Sequence, residues 1–136
     1  MTEIIVDNGV SEPGLTELDL TRFSQLKRLE IGDHCFSYVD ELKLIGMNEL
    51  ESVVIGESSF MKNENSYGNS NRHFSLKNCP KLKSLKIGYD SFSDYSVCEI
   101  ENMDALEVIE MGDLNEVSYN FAYASLELKS IIDRNE

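Results

Sequence analysis

Basic side chains are scarce in this sequence. Its 136 residues carry 12 lysines and arginines against 25 aspartates and glutamates, a net charge of −13. With no basic stripe to offset it, like-charge repulsion argues against a nucleic-acid backbone as ligand and disfavours an anionic membrane surface. Long apolar runs are missing too, and none approaches the length of a membrane span. There are three cysteines, Cys35, Cys79 and Cys98. The odd count, with no signal-like stretch after Met1, points to reduced thiols and a cytoplasmic setting. No Asn-x-Ser/Thr acceptor occurs, and no Gly-x-x-x-x-Gly-Lys phosphate loop. Cys-x-x-Cys spacing is absent, and the 2 histidines are too few to complete a zinc set. No cofactor or metal is therefore expected.

Apolar residues, in contrast, are plentiful at 41%, enough for the modest core of one domain. They recur in one frame. Leu82, Leu85 and Ile87 are followed by Gly88 and Phe92. The same pattern stands at Leu26, Leu29, Ile31, Gly32 and Phe36, and again at Leu50, Val53, Ile55, Gly56 and Phe60. It returns without the final Phe at Leu106, Ile109, Met111 and Gly112. An apolar-x-apolar pair opens each unit: Leu18 and Leu20, Leu42 and Leu44, Phe74 and Leu76, Cys98 and Ile100. The period is 24 residues, stretched once to 32 between the second and third units. A frame that recurs at fixed spacing marks a repeat architecture.

Alternation of period two predicts strands with one buried face. Two short strands in each two dozen residues leave little room for a regular helix. The expectation is a mostly β solenoid of four to five coils, each with two short parallel strands. Residues 1–17, containing Ile4 and Val6, read as a half-coil covering the first repeat, or else as a frayed tail. The solenoid proper spans 18–132, and 133–136 form a polar tail. The extra eight residues fall within 61–73, an Asn-, Ser- and Gly-rich stretch expected to be a surface loop. After Gly112 the register slips, with Phe121 displaced, and Leu126 and Leu128 open a fifth unit.

The glycine after each second strand is expected to permit a sharp corner through positive φ. Phe36, Phe60 and Phe92 should form an aromatic column, and Leu29, Val53, Leu85 and Ile109 an aliphatic one. Lys27, Glu51, Lys83 and Glu107 share an exposed column whose alternating signs suggest an attractive ladder.

The frame Leu-x-x-Leu-x-Leu resembles that of leucine-rich repeats. Asn78-Cys79-Pro80-Lys81-Leu82 looks like the cysteine-containing subclass, and Gly88 to Phe92 is similar to repeats of bacterial and protist surface proteins with a second strand on the convex side. One departure concerns the asparagine usual three residues after the third apolar position. Here that position holds His34, Ser58, Asp90 or Leu114, so the usual asparagine ladder is not expected. The resemblance implies a non-enzymatic protein-interaction scaffold and names no ligand.

The candidate site is the outward face of the second strands. Its variable positions include Arg28, Glu30, Asp33, Val54, Glu57, Lys86, Tyr89, Glu110 and Asp113, with Val54 and Tyr89 as apolar anchors among charges. Tyr67 and Arg72 of the inserted stretch could overhang an edge. The expected partner is a protein, with no nucleic acid and no membrane, and the chain is either monomeric or self-associates end to end through open solenoid ends. Two other readings compete. The chain could be a structural segment of a larger leucine-rich-repeat receptor or adhesin with its ligand site elsewhere. It could also be a thiol enzyme using Cys35 and His34. Cys79 and Cys98 fall in apolar columns and read as core, as do Met47, Met103 and Met111. Carboxylate pairs such as Glu99/Glu101 are simply frequent in an acidic chain.

Overall fold

A computed structural model describes residues 2–61, 72–92 and 95–112, together with the backbone of the strand at 125–129. The expected register slip at 113–124, most of the inserted loop (62–71) and the tail lie outside the described residues. Among the described residues all ten regular elements are strands: β1 (Glu3–Val6), β2 (Glu17–Asp19), β3 (Arg28–Ile31), β4 (Glu41–Ile45), β5 (Ser52–Ile55), β6 (His73–Lys77), β7 (Ser84–Ile87), β8 (Val97–Glu101), β9 (Val108–Met111) and β10 (Ser125–Lys129). No helix occurs among the described residues.

The chain alternates between two sheets. Odd-numbered strands form one, in the order β1-β3-β5-β7-β9, and even-numbered strands form the other, β10-β8-β6-β4-β2. Every pairing is parallel. Equivalent residues meet: Leu29 pairs with Val53, Val53 with Leu85, and Leu85 with Ile109. The even sheet carries the file Leu18, Leu42, Phe74, Cys98, Leu126 in the same way. Both registers continue from the strands before the eight-residue insertion to those after it.

Inward side chains of both sheets share one apolar core, in which Leu26, Leu42, Leu44, Met47, Leu50, Val53, Leu82 and Leu85 are fully buried. Each such side chain contributes about 1.5–3 kcal/mol. Phe36, Phe60 and Phe92 do form a column. Their ring centroids lie 5.4 Å and 4.7 Å apart, the second pair almost coplanar at 6°. Phe74 packs 5.0 Å from Phe92. The core also holds Val39 and Tyr95, outside the expected frame.

After β9 the expected positive-φ glycine is present, Gly112 with φ of 76°, but the corners after β3, β5 and β7 work differently. Gly32, Gly56 and Gly88 have no positive φ. They are needed for close approach: a Cβ on Gly56 would stand 2.7 Å from the carbonyl carbon of Gly32, and one on Gly88 would stand 2.6 Å from that of Gly56. The left-handed turns come at the non-glycine residues that follow. His34, Ser58 and Asp90 have φ of 56°, 52° and 65°, and Phe36, Phe60 and Phe92 have 56°, 55° and 61°. Such conformations cost energy in non-glycine residues. Here they aim each Phe into the core.

Side chains tie these corners together, and the donors are serines. Ser59 Oγ accepts from the Cys35 amide at 3.1 Å and donates to the Gly32 carbonyl at 2.7 Å. Ser91 Oγ accepts from the Ser59 amide at 2.9 Å and donates to the Gly56 carbonyl at 2.5 Å. The opposite corner uses Gly46, Asn78 and Asn102, all at positive φ, with Asn102 Nδ2 donating to Asn78 Oδ1 at 2.8 Å. An asparagine pair thus exists, at the corner where it was not sought.

Two further expectations are corrected. The Lys27, Glu51, Lys83 and Glu107 side chains form no ion pairs with one another among the described residues. Their column is joined through backbone, from the Glu51 amide to the Lys27 carbonyl (2.8 Å), Lys83 to Glu51 (3.0 Å) and Glu107 to Lys83 (2.9 Å). Long side chains leaving an exposed strand gain little from pairing in water. Ile109 keeps its predicted register but is 41% exposed, because β9 is the outermost described strand of its sheet.

Candidate functional site

The outward face of the odd sheet is built from five parallel strands in strict register. Its first column runs Glu3, Arg28, Ser52, Ser84, Val108, and its second Ile5, Glu30, Val54, Lys86, Glu110. Period-two alternation turns these positions outward while their neighbours fill the core. Arg28 is salt-bridged to Glu3 at 3.2 Å and to Glu30. The hydrogen bond that Arg28 donates to Glu30, more than any other influence, raises its guanidinium pKa above the usual arginine value. Lys86 lies 3.7 Å from Glu110. Between these two charged clusters sits Val54, a large apolar side chain 37% exposed. Arg28, Val54, Lys86 and Glu110 are thus brought onto one exposed face, with Glu30 half-buried beside them.

The positions just past the strands divide. Glu57 is exposed, and its amide donates to Asp33 Oδ1 at 2.8 Å. The Asp33 amide in turn donates to Asn8 Oδ1 at 2.7 Å. Asp33 is therefore committed to holding successive layers together, a task sequence reading missed. Tyr89 is half-buried at the same corner. Asp113 and Tyr67 lie outside the described residues.

Arg72 requires a correction. Expected on an overhanging loop, it is 3% exposed. Its Nη2 donates to the Ser37 and Val39 carbonyls at 2.7 and 2.8 Å, and Nε lies 3.0 Å from Asp40 Oδ1. The guanidinium carbon is 4.9 Å from the centre of the Tyr95 ring, whose hydroxyl donates to the Val39 carbonyl at 2.5 Å. A buried charge of this kind is sustained by its donors and ion pair together. Arg72 belongs to the interior and leaves the exposed face.

The even sheet presents a different surface. Lys43 stands 3.2 Å from Glu17 and 3.8 Å from Glu41, and its pKa is raised chiefly by the hydrogen bond with Glu17. Lys77 lies 3.2 Å from Glu99 and 3.9 Å from Glu101. These pairs close the face with its own counter-charges. A shallow polar cleft at its edge is lined by Thr16, Glu17, Asp40, Glu41 and His73.

The cysteines are all free and buried. Cys35 Sγ donates to the Asp7 carbonyl at 3.1 Å, while His34 beside it is exposed. Burial raises the Cys79 thiol pKa and pushes that of Cys98 up to about 12, the opposite of the shift an activated thiolate needs. Among the described residues no three His, Cys, Asp or Glu side chains gather as a metal site, and no helix is long and apolar enough to cross a membrane. Comparison with family models, curated proteins and solved structures returns no match.

Proposed function

We propose that this chain is a short leucine-rich-repeat-type solenoid without enzymatic activity, and that it binds a protein partner through the outward face of its odd sheet. One observation carries the reading. Val54 is exposed at the middle of an in-register sheet face, and the charges flanking it already have counter-charges within that face. An apolar centre inside a ring of polar groups is the layout of a protein-interaction hot spot. Internally paired charges can stay at the rim, where they set specificity and encounter rate more than affinity. The net charge of −13 favours a neutral or basic partner.

The competing reading is a structural segment of a larger receptor or adhesin, with the ligand site elsewhere. It draws on the exposed Ile109 at the outermost described odd strand. Capture from the native source, followed by titration of the purified partner, separates the two. Under the binding reading, Val54→Glu combined with Lys86→Glu weakens the partner at least about tenfold, the size of one hot-spot loss of about 1.4 kcal/mol. Equal affinity of the intact and substituted chains contradicts it and favours the structural segment.

A further inference from the structure

We infer that copies of this chain associate head to tail, with β1 of one copy adding to the outer edge of β9 of another. The inference rests on strand order, independently of any partner on the sheet face.

The two ends of the molecule are complementary. One end presents β1 in the odd sheet and β2 in the even sheet. The other presents β9 and β10. Among the described residues each sheet has five strands, all parallel. A second copy advanced by five strand positions therefore sets its β1 beside β9 and its β2 beside β10 in one movement. Both sheets then continue with unchanged polarity, and neither is left a strand short at the junction.

The backbone at these edges is prepared for the same bonds that join the internal layers. Thr2 O accepts from Lys27 N, Lys27 O from Glu51 N, Glu51 O from Lys83 N, and Lys83 O from Glu107 N. The next acceptor in that series is the Glu107 carbonyl. A parallel series takes the Gly32 amide to Val6 O, Gly56 to Ile31 O, Gly88 to Ile55 O and Gly112 to Ile87 O, and the next acceptor there is the Met111 carbonyl. On β1, the carbonyls of Thr2 and Val6 face β3. Alternation then turns the amides of Glu3 and Ile5 away from it, toward the carbonyls of Glu107 and Ile109 in a neighbouring copy.

The side chains agree. Extending the register places Val108 against Glu3, Ile109 against Ile4, Glu110 against Ile5 and Met111 against Val6. Across the β9–β1 junction no like charges stand directly opposite, whereas the same extension of the even sheet sets Glu127 against Asp19, a like-charge pair that opposes the contact. Ile109 is 41% and Ile5 60% exposed, and Ile4 is half-buried. Stacking would extend the file of Leu29, Val53, Leu85 and Ile109 into Ile4 of the next copy. Exposed strand edges of this kind template further pairing. The contact is heterologous, so it does not limit itself to a dimer. The charge of −13 on each copy opposes it, and salt should promote it by screening.

A cross-linking experiment on the full chain tests this. Ile5 and Glu110 become opposite across the junction, at roughly the 4.7–4.9 Å spacing of neighbouring strands, a distance a disulfide spans. Within one copy, β3, β5 and β7 stand between them, so no internal bridge can form. The native thiols are all buried and stay silent. Under mild oxidation the double variant Ile5→Cys/Glu110→Cys should give a ladder of dimers, trimers and larger species on a non-reducing gel, denser at high salt, with neither single variant doing so. In sedimentation of the chain with native cysteines, Ile5→Pro, which removes one outward amide but no bond to β3, should shift the population to monomer. A ladder absent at all concentrations, a dimer from Ile5→Cys alone, weakening with salt, or oligomers untouched by Ile5→Pro would each overturn the inference.

Discussion

β8 and β9 are consecutive strands of one repeat, built on the same alternating pattern, yet they differ in burial. Cys98 is fully buried and Ile100 is 4% exposed, while Ile109 is 41% exposed. The difference lies in the next layer. β8 has β6 on one side and β10 on the other, whereas β9 has β7 alone among the described strands. In this fold an inward-facing residue is dry only when the strand above it is present. Repeat proteins share this dependence, since each unit draws its stability from its neighbours.

Truncating both strands sharpens the comparison. Ile100→Ala should cost about 2–5 kcal/mol, the range for a buried aliphatic side chain that leaves a cavity. Urea unfolding monitored by circular dichroism measures it, and a cost below about 1 kcal/mol would deny that β10 covers β8. Cys98 gives the same layer a pH signature. Its folded pKa is raised from 9.0 to about 12 by burial and, to a smaller extent, by the neighbouring Glu99. The folded state prefers the neutral thiol, so this contribution is full below pH 9.0 and is lost as pH climbs toward about 12. The urea midpoint should fall over that window more steeply in the native chain than in Cys98→Val. Equal slopes would mean that the thiol is not sealed. The smallest effect belongs to Ile109→Ala, at about 1 kcal/mol or less in dilute monomer, because little burial is lost. A penalty equal to that of Ile100→Ala would erase the contrast.

The repeat frame was legible because burial of one face forces period-two alternation, and a slip of one residue would expose the whole apolar set. That argument fixed Leu29, Val53 and Leu85 in one file, and the files of the even sheet likewise. It failed where identical residues do different work. Gly56 and Gly88 looked like turn formers and proved to be contact points between backbones. The turns fell to His34, Ser58, Asp90 and the Phe residues two positions on, whose strain is compensated by tertiary packing that propensity does not see. Arg72 was misread because its neighbours are polar. The signal available was positional: Arg72 lies 24 residues before Ser96 and 32 after Asp40, with backbone bonds from Ser96 N to Arg72 O and from His73 N to Asp40 O. That register places it at the entrance to a strand beside Tyr95, within the layered part of the molecule. For the outward face, the register was readable and the affinity was not. Which exposed residues meet a partner depends on that partner's surface as well.

The central claim is that the strands lie parallel with equivalent residues adjacent, layer upon layer. Interstrand nuclear Overhauser contacts from the amide and α protons of Leu29, Val53, Leu85 and Ile109 test it most directly. The account predicts the parallel pattern linking Leu29 to Val53, Val53 to Leu85 and Leu85 to Ile109. Contacts displaced by a residue, or the short α–α contacts of antiparallel pairing, would contradict it.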